Sequence, residues 1–132
     1  MLNRQEVFDI VSTHLLTQMA VSRIPESEVD RNGNLNSCAY RSESGLKCAI
    51  GKLIKDEFYT YDLETLNVTH RAVSEALAKS GYEFNNDDHS LVSDTEFLMY
   101  LQRIHDTLKP QSWRENLAKS AITYGLEINF NT

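Results

Sequence analysis

Residues 93–108 read SDTEFLMYLQRIHDTL, and this stretch decides the fold class. Ser93 followed by Glu96 is a capping box, in which two side chains satisfy the free amide donors of a helix start. Phe97, Leu98, Leu101, Ile104 and Leu108 then recur at helical spacing and form one apolar stripe. The spacing predicts a helix to about Leu108, broken by Pro110. His105 falls inside the stripe, four residues after Leu101, while Asp106 is expected to point well away from it. The pair is therefore not read as a ready-made dyad. A buried His105 bonded to a loop backbone would pin that loop, or a hairpin, to the helical core.

The same grammar recurs on both sides. Asn3 and Glu6 make a capping box ahead of Val7, Phe8, Val11, Leu15 and Met19, with an end expected near residues 20–22. Ser112 and Glu115 make another ahead of Trp113, Leu117 and Ala121, stopping before Gly125. Residues 68–80 place Ala72, Val73, Ala76 and Leu77 on one face, with Gly81 as the stop, and residues 62–66 suit a single turn. Leu126, Ile128 and Phe130 alternate with polar residues, which suits a short strand or an extended docked arm.

Two segments stand apart from the helices. Residues 25–37, PESEVDRNGNLNS, concentrate turn formers and few apolar groups, so a mobile loop is expected over about residues 23–37. Residues 38–50, CAYRSESGLKCAI, read as a β-hairpin leading into a short helix, with Gly45 in the left-handed position that closes the loop. That register sets Tyr40 opposite Cys48 and Arg41 opposite Lys47, and a slip of one residue would mix the two faces. It makes Cys38 and Cys48 diagonal neighbours, poor geometry for a disulfide. The expected fold is thus mainly α, four to five helices with one small β-hairpin, in a single compact α+β domain over residues 1–132.

Composition excludes several classes of function. The 132 residues are 41% hydrophobic and 24% charged, ordinary for a globular chain, with a net charge of −6. Free nucleic acid is a poor partner for that charge, because phosphate binding needs a basic face. No apolar run approaches the ~20 residues that span a bilayer, so no membrane role is expected. The start, MLNRQEVFDIVSTHLL, lacks the pattern of a secretory signal, and two cysteines without export point to a reducing, cytoplasmic setting. Asn67-Val68-Thr69 is then a chance match to the glycosylation triplet. No phosphate-cradling loop, nucleophile elbow, metalloprotease helix or dinucleotide fingerprint is found.

The candidate sites are correspondingly few. Cys48 with His105 as its base is the only catalytic pair that can be named, and a nucleophilic thiol there would need a lowered pKa. A zinc site wants paired ligand spacings, whereas Cys38 and Cys48 are ten apart and His14, His70, His89 and His105 are scattered, so no metal is expected. NNDDHS at 85–90 lacks the spacing, glycine and closing glutamate of a calcium loop. Charge is segregated: Glu83, Asp87, Asp88, Asp94 and Glu96 face no Lys or Arg between Ser80 and Gln102. Arg41, Lys47, Lys52 and Lys55 against Glu43 leave +3 over residues 41–55. Such regions can pair internally, join copies head to tail into a homo-oligomer, or meet a partner. The binding candidates are therefore Asp87 and Asp88 with Tyr82 and Phe84 as aromatic anchors, and Arg41 and Lys47 on the basic side.

The segment CAYRSESGLKCAIGKLIKDEFY, residues 38–59, resembles a family of small uncharacterised proteins of bacteria and their phages. The likeness lies in the Cys-x-Tyr-Arg start, the Gly-Leu-Lys-Cys-Ala centre and the acidic-aromatic end, and extends to LQRIHD at 101–106, Trp113 and Tyr124-Gly125-Leu126. Members often carry Cys where Lys52 stands and Pro where Lys55 stands, which weakens a metal reading of this chain. The resemblance supplies no catalytic residue and no cofactor. It implies a phage or prophage protein acting on a host protein. Small size, charge segregation and the absent catalytic motifs lead to the same expectation, a small soluble non-enzymatic protein-binding module. The alternatives are a small thiol-dependent enzyme using Cys48 and His105, and a structural zinc module.

Overall fold

A computed structural model describes residues 3–22, 39–42, 44–64, 66, 70–82 and 94–130. Five helices account for most of it: α1 (Arg4–Gln18), α2 (Ala49–Leu53), α3 (Arg71–Lys79), α4 (Asp94–Thr107) and α5 (Trp113–Tyr124), with 3-10 turns at Asp56–Phe58, Tyr61–Leu63 and Pro110–Ser112. Helices α1, α4 and α5 pack on one another, and α2 lies against α1 and α4. Phe8, Val11 and Leu15 of α1 meet Phe97, Leu98 and Leu101 of α4 and Trp113, Leu117 and Ala121 of α5 in one buried cluster, joined by Ile50 of α2 and Leu77 of α3. The apolar stripes read from the sequence are thus the faces that leave water, the dominant stabilising term of a small fold, except that Met19 lies beyond α1 and stays exposed.

The helix ends show which local signals were used. Asn3 Oδ1 accepts from the Glu6 amide at 2.8 Å and starts α1. That helix stops at Gln18, short of residues 20–22, because Met19 takes a left-handed conformation (φ 49°) and returns its amide to the Leu15 carbonyl. His70 Nδ1 caps α3 by accepting from the Ala72 amide at 3.1 Å, and the helix starts at Arg71. Ser112 makes no side-chain cap, since the turn Pro110–Ser112 already leads its backbone into α5. Ser93 and the loop expected over about residues 23–37 lie outside the described residues.

The expected β-hairpin over residues 38–50 is not found. Among the described residues there is no strand, and the segment keeps one isolated antiparallel bridge, Arg41 with Lys47. Gly45 (φ +89°) does turn the chain, its amide donating to the Ser42 carbonyl at 3.0 Å. Helix α2 then begins at once, with Cys48 as its cap, so the pairing of the two arms stops at Ser42 N to Leu46 O, 2.9 Å, and Cys48 N to Tyr40 O, 3.3 Å. The first arm is taken by other partners. Ala39 donates to the Ser22 carbonyl at 3.0 Å, and the amides of Tyr40 and Arg41 donate to the two carboxylate oxygens of Glu64 at 2.8 and 3.1 Å. On the other side Gln18 acts as a surrogate strand: its Oε1 accepts from Lys47 N at 2.9 Å and its Nε2 donates to Lys47 O at 2.8 Å.

Helix α2 fits beneath this arm only because residue 51 has no side chain. A Cβ at Gly51 would lie 1.9 Å from the Tyr40 carbonyl oxygen, a backbone atom that cannot swing aside. At Gly45 a Cβ would meet nothing within 4 Å. Gly51→Ala should therefore cost about 1–3 kcal/mol or more by overpacking. Gly45→Ala should cost less, about 1 kcal/mol, through its positive φ alone. Urea unfolding of both variants checks this, and equal losses would contradict it.

Candidate functional site

The only catalytic pair readable in the sequence is deeply placed. Cys48 is fully buried, and its Sγ accepts from the Gly51 amide at 3.3 Å as the cap of α2. Burial pushes the thiol up to about 12 from 9.0, outweighing the lowering by the Gly51 amide, with Asp106 raising it further. A nucleophilic cysteine needs the opposite shift.

His105 is also wholly buried, and both ring nitrogens are engaged. The Ser22 amide donates to Nε2 at 2.9 Å, so Nε2 carries no proton, and Nδ1 donates to Asp106 Oδ1 at 2.7 Å. The expectation that Asp106 points well away is thus corrected. Consecutive helical side chains leave the backbone about 100° apart, but the carboxylate bends back to the ring and also accepts from Gln102 Nε2 at 2.8 Å. Trp113 stacks on the imidazole with centroids 5.6 Å apart. No hydrogen bond joins Cys48 to His105 among the described residues. The geometry makes His105 a clasp that holds Ser22 against α4.

The basic candidates are committed within the chain. The Arg41 guanidinium lies over the Tyr59 ring at 4.6 Å, donates to the Ile54 carbonyl at 2.6 Å, and pairs with Asp56 at 2.7 Å. Lys47 Nζ lies 3.7 Å from the same Asp56 oxygen. The Arg41 hydrogen bond and charge, helped by Lys47, hold the exposed Asp56 carboxyl below its usual range. Tyr82 is 2% exposed and belongs to the core, so its ring is not offered to a partner. Phe84, Asp87 and Asp88 lie outside the described residues, as do Cys38 and His89. Among the described residues no cluster of three or more His, Cys, Asp or Glu could hold a metal ion.

A surface feature not read from the sequence lies between α4 and α5. An open groove of about 170 Å³ is lined by Tyr100, Arg103, Ile104, Thr107, Leu108 and Asn116. Helical geometry explains it: Tyr100 precedes Ile104 and Leu108 at four-residue spacing and widens the apolar stripe along its edge, which α5 covers only in part. That row was the available signal. Arg103 and Thr107 form the polar wall, and Arg103 has no ion pair among the described residues. Family models, curated proteins and solved structures were compared with the chain, and none matches it.

Two outcomes follow from the buried pair. His105→Phe keeps a ring against Trp113 but strands the Ser22 amide, at an expected cost of about 1–3 kcal/mol. Asp106→Asn keeps an acceptor for Nδ1 and should stay within about 1 kcal/mol of the parent. Thermal unfolding separates them. The thiol supplies the second outcome. Folded Cys48 keeps its proton until about 12, whereas the unfolded thiol ionises near 9.0. The folded state therefore holds the extra proton across that window, and stability falls as pH rises through it, by roughly 1.4 kcal/mol per pH unit. Tyr40 and Tyr59, both pushed up mainly by burial, steepen the fall above their ordinary range. Cys48→Ala should flatten the early part of the slope, and an unchanged slope in urea titrations would contradict this.

Proposed function

We propose that the chain is a small non-enzymatic protein-binding module, and that its partner seats one apolar or aromatic side chain, with a carboxylate beside it, in the groove between α4 and α5. The observation that carries this reading is the groove's size and lining. At about 170 Å³ it falls below the roughly 300–1,000 Å³ of sites that enclose small-molecule ligands. It matches the ~150 Å³ that accommodates a benzene-sized group. Such a pocket suits a single anchor side chain, the element that dominates protein interfaces. Ile104, Leu108 and Tyr100 supply the apolar floor, and Arg103 supplies a cation for an adjacent carboxylate. A thiol-dependent enzyme draws no support from a buried, proton-retaining Cys48. The expectation of a phage-encoded protein meeting a host protein is compatible with this groove and adds the source of the partner.

The test is capture with the intact chain as bait, beside Arg103→Glu and Thr107→Trp. Both residues are exposed, so their replacement should change stability by no more than about 0.5 kcal/mol. A partner retained by the parent, purified, and then titrated against all three baits should bind each variant at least about tenfold more weakly, a loss of ~1.4 kcal/mol. Equal affinity for the three folded baits would remove the groove from the interface.

A further inference from the structure

Residues 126–130 cover a surface between α1 and α5. Gly125 (φ +67°) reverses the chain at the end of α5, and Leu126 N donates to the Ala121 carbonyl at 2.8 Å. Residues 126–130 then run back along α5, so that Phe130 lies under the Arg114 guanidinium, 5.7 Å from its ring centroid, at the first turn of that helix. What holds this arm is mostly α1. Gln5 reads both backbone groups of Glu127, accepting its N–H at 2.8 Å and donating to its carbonyl at 3.0 Å. This is what a neighbouring strand would do, and it is indifferent to the side chain of residue 127. Asp9 orients Gln5 through its Nε2 at 3.0 Å and accepts from Asn129 Nδ2 at 3.0 and 3.2 Å. Phe8 meets the Phe130 ring at 6.1 Å between centroids. Leu126, Ile128 and Phe130 are half-buried against the core, and Glu127 and Asn129 face outward.

We propose that this α1–α5 surface is a receiving groove for an extended segment of this sequence, and that its trans occupant is a second copy of the chain, with reciprocal exchange of residues 126–130. The proposal concerns a face separate from the α4–α5 groove and does not rest on it. Among the described residues, the hydrogen bonds of Glu127 and Asn129 and the ring contacts of Phe130 are to α1 or to Arg114, and none depends on which copy supplies the arm. The reversal at Gly125, with its Leu126–Ala121 hydrogen bond, is what commits the arm to its own chain, whereas the Arg114 of either copy can cover Phe130. A short connection gives the cis arm an effective concentration on the order of millimolar. The cis state therefore prevails at lower protein concentration, and the reversal is the element that selects it.

Gly125 allows a clean experiment. A Cβ there would meet nothing within 4 Å, so a substitution acts through φ and not through a clash. A β-branched residue resists that left-handed conformation and releases the arm from cis docking. Sedimentation analysis of the full chain should show Gly125→Val as a dimer at concentrations where the parent is a monomer. Adding Phe130→Ala should weaken that dimer by about tenfold or more. A folded Gly125→Val chain that stays monomeric overturns the proposal, as does a dimer that ignores Phe130→Ala. Where Gly125→Val fails to fold, a labelled peptide of residues 126–132 is titrated against the full Phe130→Ala chain, whose own arm is loosened. Binding that Gln5→Ala removes supports the receiving groove. Absence of binding up to the millimolar effective concentration overturns it.

Discussion

The backbone on either side of the Gly45 turn runs partly extended and enters the core at Ala39, Tyr40 and Cys48, with no strand beside it among the described residues, and most of its amides and carbonyls need partners from elsewhere. A buried peptide group left unpaired costs about 1–3 kcal/mol, so several unpaired groups together would consume much of a small domain's stability. The chain solves this with long polar side chains from other elements. Glu64 takes the amides of Tyr40 and Arg41, Gln18 takes both groups of Lys47, His14 donates to the Lys47 carbonyl at 2.9 Å, and Ser22 Oγ donates to the Ala39 carbonyl at 2.7 Å. Gly51 then lets α2 close on the Tyr40 carbonyl. The packing of α2 against α1 and α4 depends on this arm being satisfied where it lies.

That solution also disposes of the reactive side chains. Cys48 is used as a helix cap and His105 as an acceptor for Ser22, and both are withdrawn from solvent. His14 follows the same rule, with burial lowering its pKa and its Nε2 fixed on Lys47 O. Arg41 serves the arm twice, through its amide to Glu64 and its guanidinium to Ile54 and Asp56. Residues that look functional by type are here the polar mortar of an irregular segment. Their chemistry is spent on backbone groups, which shifts functional attention to exposed shape between helices.

The helices were legible because their information is local. The Asn3 cap and the stripes of α1, α4 and α5 need only a window of a few residues, and the structure places those stripes, apart from the terminal Met19 and Leu108, in the core. The arm was not legible for the converse reason. The opposition of Arg41 and Lys47 could be read from alternation and from Gly45, but whether strands grow from it depends on Glu64, Gln18 and Ser22, 17 to 29 residues away. No periodicity encodes that a glutamate will take two amides. Asp106 failed for a related reason: a helical wheel fixes where a side chain leaves the backbone, not where a carboxylate ends. The α4–α5 groove was half legible. The row Tyr100, Ile104, Leu108 was present, but that α5 leaves it partly uncovered is a matter of how two helices pack.

The arm at residues 126–130 repeats the central device on the opposite flank of α1. Gln5 does for Glu127 what Gln18 does for Lys47, each glutamine amide pairing one residue's N–H and C=O. The two glutamines sit near opposite ends of α1, so one helix organises both non-helical segments. A side-chain amide on a helix can imitate one rung of a sheet but cannot propagate it, because the next helical residue points about 100° away. Each glutamine therefore pairs a single rung of its segment, and apolar contacts secure both: Tyr40, Cys48 and Ile50 around the inner arm, Leu126, Ile128 and Phe130 along the outer one. This explains how extended backbone is held without a strand beside it among the described residues. It also separates the two segments energetically. The inner arm is buried and braced by Glu64, whereas the outer arm rests on hydrogen bonds that remain exposed to solvent and is the part a competing segment can replace.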